Sequence, residues 1–182
     1  MRKYATALFA LLLLLLPAKQ NYAQTQQISF NLISGTNGVS LGKINAITED
    51  KYGFMWFSDQ TNRCIIRYDG SYMKRYQNDP KNPNTLGGYY PECLFADSSG
   101  IMWVGFYGQG LDRFDAINNT FIHYRHDAKD SASLANDFVT AVFVDHLGNI
   151  WVGNYGGLDL LDLKTGKFTH YSYKSGDSTS LS

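Results

Sequence analysis

Between residues 44 and 171 the chain repeatedly alternates apolar and polar positions in short runs, with Gly, Asn and Asp separating one run from the next. Val139-Thr-Ala-Val-Phe-Val144, Thr120-Phe-Ile-His-Tyr124 and Lys167-Phe-Thr-His-Tyr171 all read this way. A period of two places every second side chain on one face, so these runs predict β-strands with one face turned to a core. No comparable stretch carries apolar residues at the helical spacing. Only residues 5–16, a run that is apolar but for Thr6, stand outside the pattern.

The runs belong to a repeat. Asp50, Gly53 and Trp56 recur as Asp97, Gly100 and Trp103, and again as Asp145, Gly148 and Trp151. The tryptophans are 47 and 48 residues apart, and Tyr76, Tyr124 and Tyr171 follow at steps of 48 and 47. Leu41, Leu86, Leu134 and Leu181 open successive units. Each unit predicts four strands. Strand A is the alternating run that ends at the Asp-x-x-Gly turn, where Asp bonds the backbone downstream and Gly tolerates positive φ. Strand B carries the Trp, a Gly-rich link leads to strand C, and a tight turn leads to strand D. Four antiparallel strands in a unit of about 40–50 residues is a propeller blade. The expected fold is all-β, a partial β-propeller of about three four-stranded blades. Its repeats span residues 39–84, 85–132 and 133–179, with residues 180–182 opening a fourth. Residues 24–38 are expected to supply an orphan strand D over 28–32.

Residues 1–23 have a different character. Arg2 and Lys3 precede the apolar run, Pro17 breaks it, and Ala23 offers a small residue for cleavage. This is the layout of a secretory signal peptide. A run of twelve residues rises about 18 Å as a helix, short of the roughly 30 Å hydrocarbon core. The mature chain is therefore expected beyond the inner membrane, in the periplasm, with no membrane span of its own.

Charge narrows the function. Lys plus Arg is 16 and Asp plus Glu is 16. The balance lacks the basic excess of a nucleic-acid binder, so no nucleic acid is expected as partner. Thirteen Tyr, eleven Phe and seventeen Gly suit aromatic-rich strands and tight turns. Trp56, Trp103 and Trp151 are expected to pack between blades. The Asp-x-x-Gly turns lack the alternating oxygen ligands of a calcium loop, and no His-x-x-x-His, Cys-x-x-Cys or Gly-x-Ser-x-Gly motif occurs. No catalytic residue, metal ligand or cofactor site is assigned. Cys93 aligns with Ala46 and Ala141 and is expected to be a small buried residue.

These residues resemble the two-component regulator propeller repeat, roughly Asp-x-x-Gly-x-Leu/Ile-Trp-apolar-Gly followed by Gly-Leu-x-x-Tyr/Phe-Asp. The second copy has Asp97, Gly100, Trp103, Gly105, Gly110, Leu111, Phe114 and Asp115, and the third has Asp145, Gly148, Trp151, Gly153, Gly157, Leu158, Leu161 and Asp162. The first copy departs from it, with Ser58 and Cys64 at two of the glycine positions. The resemblance implies the periplasmic sensor region of a hybrid two-component histidine kinase, cued by breakdown products of polysaccharides. Kinase activity would belong to a longer parent. A stand-alone secreted binding or assembly module is the alternative, followed by a propeller-type polysaccharide lyase or hydrolase.

Strand direction places the B–C and D–A loops on one face of the blades. These loops vary while the strands repeat, which is where recognition is expected. They carry Asp59 and Arg63 in the first unit, Tyr89, Tyr90, Phe106, Tyr107 and Gln109 in the second, and Asn154 and Tyr155 in the third. Aromatic faces beside amides and carboxylates suit an oligosaccharide or other small ligand. Packing of loops, or of a partner, accounts for the same residues. An open arc of three blades is also expected to meet further blades or to associate with itself through its edges.

Overall fold

A computed structural model describes residues 32–33 and 37–181. The chain divides into two compact units, 1–33 and 34–182. Of the first, the described residues are Leu32 and Ile33, both exposed. The leader and the strand expected over 28–32, Leu32 apart, lie outside the described residues. Everything that follows concerns the second unit.

Twelve strands form three four-stranded antiparallel sheets, each in chain order, with no helix among the described residues. The first blade is β1 (Ile44–Glu49), β2 (Met55–Asp59), β3 (Cys64–Tyr68) and β4 (Met73–Gln77). The second is β5 (Pro91–Ala96), β6 (Met102–Phe106), β7 (Leu111–Asp115) and β8 (Thr120–Tyr124). The third is β9 (Val139–Val144), β10 (Ile150–Asn154), β11 (Gly157–Asp162) and β12 (Lys167–Tyr171). The inner strands β1, β5 and β9 pack one against the next. The fold is an all-β partial propeller.

Alternation along each strand divides the core between the two faces of a blade. In β6, Met102, Val104 and Phe106 face the first blade, where they meet Trp56, Ile65 and Tyr76. Trp103 points the other way, to Val142, Ile150, Val152 and Phe168 of the third blade. Leu86 and Leu134, the residues that open their repeats, are fully buried in these two interfaces. Trp151 holds the same position in the third blade but is half-buried on its outward face, beside Tyr171.

The Asp-x-x-Gly turns also fix the tryptophans. Asp50 Oδ1 accepts the N–H groups of Tyr52 and Phe54, while its Oδ2 accepts the indole N–H of Trp56 at 2.7 Å. Asp145 serves Leu147, Asn149 and Trp151 in the same way. Asp97 accepts from Ile101 and, at 3.4 Å, from Trp103. The glycine of each turn has φ between 83° and 92°.

A second set of aspartates clips the D–A loops. Asp112 Oδ2 accepts the N–H of Gly87 at 2.6 Å, Asp159 Oδ2 that of Ala135 at 2.8 Å, and Asp59 Oδ2 that of Gly42 at 2.7 Å. Each donor directly follows an anchoring leucine, so the buried carboxylate fixes the point where the loop enters the core. His123 bonds Asp112 through Nδ1 and the Pro83 carbonyl through Nε2, both at 2.7 Å. His170 bonds Asp159 at 2.7 Å and the Ser131 carbonyl at 3.0 Å. In the first blade Ile66 and Arg75 replace the Asp–His pair, and Arg75 Nε is buried without a hydrogen-bond partner. Cys64 and Cys93 are free thiols, both pushed up to about 12 by burial.

Candidate functional site

The three B–C links sit beside the starts of the inner strands because matching backbone bonds hold them there. The N–H of Gln60 donates to the Lys43 carbonyl, that of Tyr107 to Tyr90, and that of Tyr155 to Phe138. The face is therefore built from a pair of side chains in each blade. The first pair is polar, with Lys43 Nζ bonded to Gln60 Oε1 at 2.9 Å. The second and third are aromatic.

The aromatic pairs join across the second blade boundary. The Tyr107 ring meets Phe138 edge-on at 4.8 Å, Phe138 stacks on Tyr155 at 5.3 Å, and Tyr107 meets Tyr155 edge-on at 6.2 Å. Gly108 and Gly110 both donate to the Asp137 carbonyl, which draws the Tyr107 link against the third blade. Gly108, at φ 86°, lies close enough to the Phe138 ring that an added Cβ would sit 3.3 Å from it. The platform is open to solvent, with Tyr107 49% and Tyr155 63% exposed. A hydrogen bond to Tyr107 raises the pKa of the Tyr155 phenol.

Polar groups border the platform. The Arg63 guanidinium lies over the Tyr90 ring at 5.4 Å. Nearer the inner strands, Asn45 Nδ2 donates to Glu92 Oε2 at 3.1 Å, bridging the first and second blades. Gln109 turns its carbonyl oxygen back to the N–H of Tyr89 at 2.7 Å.

Three residues expected on this face are instead part of the scaffold. Asp59, Phe106 and Asn154 are the last residues of β2, β6 and β10, and all three side chains are buried. Asp59 accepts from Gly42 and from both nitrogens of Asn62. Phe106 lies in the core between the first two blades. Asn154 bonds Asp159 and the N–H of Gly156. Their position at the end of strand B turns them inward, one residue before the link becomes exposed. Tyr90, Tyr107, Tyr155 and Arg63 do reach the surface, and Tyr89 is half-buried. Phe138 completes the platform and was not singled out from the sequence. It directly precedes strand A, as Tyr90 does, so aligning the strand starts identifies it. Among the described residues no three His, Cys, Asp or Glu side chains come together to hold a metal.

Residues 133–156 match the family described as two component regulator propeller. The chain is similar in structure to the extracellular domain of a hybrid two component system, BT3049, from B. thetaiotaomicron. The two are 26% identical with a TM-score of 0.66, over 74% of this chain and 19% of that one. It also resembles virginiamycin B lyase from Staphylococcus aureus, at 15% identity and TM-score 0.54 over 72% of this chain and 42% of the lyase in its H270A form with quinupristin. PorZ, a surface component of the type-IX secretion system of Porphyromonas gingivalis, is 17% identical with a TM-score of 0.53, over 72% of this chain and 20% of PorZ. The last two likenesses are of fold. No curated protein matches the chain. The chain spans about a fifth of the length of the two-component relative. No helix among the described residues is long and apolar enough to cross a membrane.

Proposed function

We propose, for a chain that carries two-component regulator propeller repeats, that it is the ligand-sensing propeller portion of a hybrid two-component sensor and acts in the periplasm. Its ligand class is the oligosaccharides released from polysaccharides, and phosphotransfer belongs to a longer parent. The observation that carries this reading is the solvent-open platform of Tyr107, Phe138 and Tyr155 beside a polar border. A tyrosine offers a large, rigid, amphipathic surface with an apolar ring and a hydroxyl at its edge. That combination suits a sugar, whose C–H face stacks on the ring while its hydroxyls take the phenol, amide and carboxylate groups.

The platform also suits signalling. Tyr107 comes from the second blade, and Phe138 and Tyr155 come from the third. A ligand held by all three favours one packing of the two blades over any other, and such differential binding is what moves a conformational equilibrium.

Isothermal titration of the chain with a panel of plant and host-glycan oligosaccharides tests the reading. At least one is expected to bind, with Tyr107→Ala and Tyr155→Ala each weakening it at least about tenfold, or about 1.4 kcal/mol. Binding left unchanged in both variants would remove the platform from the reading.

A further inference from the structure

The opposite face of the blades carries a cleft of about 340 Å³ between the first and second blades. Tyr52, Phe54 and Trp56 of the first blade and Met102, Phe114 and Ile117 of the second supply its apolar lining. Arg67 is the cation in that lining, its guanidinium 4.4 Å from the centre of the Phe54 ring and 5.9 Å from that of Trp56. Directly opposite Arg67 on the neighbouring strand stands a second cation, Lys74. Its Nζ lies over the Tyr76 ring and donates to Asn119 Oδ1 at 2.8 Å. Lys51, from the turn before Tyr52, bonds the Ser99 carbonyl close by.

None of these three cations has a carboxylate in ion-pair contact among the described residues, where the pairs formed are those of Asp112 and Asp159. Asp50 also lines the cleft, but its two oxygens are engaged by the N–H groups of Tyr52 and Phe54 and by the Trp56 indole. Like charges directly opposite each other on paired strands are destabilising. Burial and the charge of Arg67 both lower the pKa of Lys74, the direction expected of a site with a surplus of positive potential.

The repeat shows that the blade does not need this arrangement. Where the first copy has Arg67 opposite Lys74, the second has Arg113 opposite Ile122 and the third has Leu160 opposite Thr169. Tyr52 and Phe54 correspond to Ser99 and Ile101 in the second copy, and to Leu147 and Asn149 in the third. Two aromatic rings and a pair of like charges are thus gathered at one blade boundary without serving the common scaffold.

We propose that this cleft is a binding site for a small carboxylate-bearing molecule with a single-ring aromatic or branched apolar body. The body lies against Phe54, Met102 and Phe114, and the carboxylate meets the Arg67 guanidinium, whose planar fork matches two oxygens at once. Lys74 and Lys51 add positive potential at the rim. A volume near 340 Å³ is at the lower end for ligand sites, which limits the occupant to about one ring. The site is independent of the sugar platform, which lies on the other face.

Calorimetric titration with 3-phenylpropionate, the branched 4-methylpentanoate and the uncharged 3-phenylpropionamide tests it, with the Trp56 indole N–H followed by NMR. Both acids are expected to bind and to shift that resonance, and the amide to bind at least about tenfold more weakly. Arg67→Leu, the residue the third repeat carries there, is expected to lose at least about tenfold in affinity for the acids, while Arg113→Leu retains it. The acid and amide comparison uses the unaltered chain, so it stands even if a variant fails to fold. Acids that do not bind at millimolar concentration, an amide equal to its acid, or a folded Arg67→Leu variant that binds as the parent does would each overturn the proposal.

Discussion

His123 and His170 each present both ring nitrogens to acceptors, a carboxylate on one side and a backbone carbonyl on the other. A neutral imidazole has one N–H, so the doubly protonated ring alone satisfies both contacts. The pKa of His123 is raised chiefly by its hydrogen bond to Asp112. At His170 burial opposes protonation, but the Asp159 hydrogen bond and charge outweigh it. The sign follows from linkage: stability from a raised histidine is complete below its unfolded value, near 6.5, and is lost as pH climbs through the folded one. Depressed carboxylates act at the other end. The pKa of Asp145 is lowered to about 2, with the Asn149 side chain the main cause, so its contribution disappears as pH falls from about 4 toward 2. Thermal unfolding is expected to show a midpoint higher at pH 6 than at pH 8.5 by a few degrees, and the gap should close in the His123→Gln, His170→Gln double variant. A gap that persists there would assign it to other groups. Asp112→Ala strands His123, Arg125 and the Gly87 N–H around a buried site, and should cost about 3–5 kcal/mol in denaturant unfolding. A loss below 1 kcal/mol would mean water replaces the carboxylate.

Among elements, the B–C link changes most from blade to blade. Counted between the residues that close it, Asp59 and Cys64, Phe106 and Gly110, and Asn154 and Gly157, it has four, three and two residues in the successive blades. Gly157 closes the shortest at φ 130°, where an added Cβ would sit 2.4 Å from the Tyr171 carbonyl oxygen. In the longest, positive φ moves to Arg63, and Cys64 can hold the following position. Gly157→Ala is expected to cost about 1–3 kcal/mol by chemical denaturation, and a neutral result would show that the link can relax. The strands, their order and the turn positions were legible because period-two alternation and the spacing of Asp, Gly and Trp are local features of the chain. The facing of Asp59, Phe106 and Asn154 was not, because one residue at a strand end decides whether a side chain turns into the core or out to the link. Contacts from Asp50 to Trp56, or from Asp112 to His123, cross between strands, and sequence spacing does not reveal them.

At the scale of the whole molecule, each interface is a tryptophan-bearing face covered by the next blade. Trp56 and Trp103 are covered, and Trp103→Ala should cost about 3–5 kcal/mol through the cavity it leaves. Trp151, Leu160 and Tyr171 form the matching face of the third blade and remain partly exposed. Light scattering of the chain is expected to show association that grows with concentration. Leu160→Arg, which restores the residue of the other two repeats and charges that face, should reduce it. A monodisperse monomer of the unaltered chain at high concentration would show that the face is tolerated in water.

Aromatic-region NMR of the chain titrated with a binding oligosaccharide tests whether the proposed sugar site lies on the Tyr107–Phe138–Tyr155 platform. The ring resonances of Tyr107, Phe138 and Tyr155 are expected to shift together while those of Tyr52 and Tyr72, on the opposite face, stay fixed. Saturable shifts confined to Tyr52 and Tyr72, with the platform rings unmoved, would contradict it.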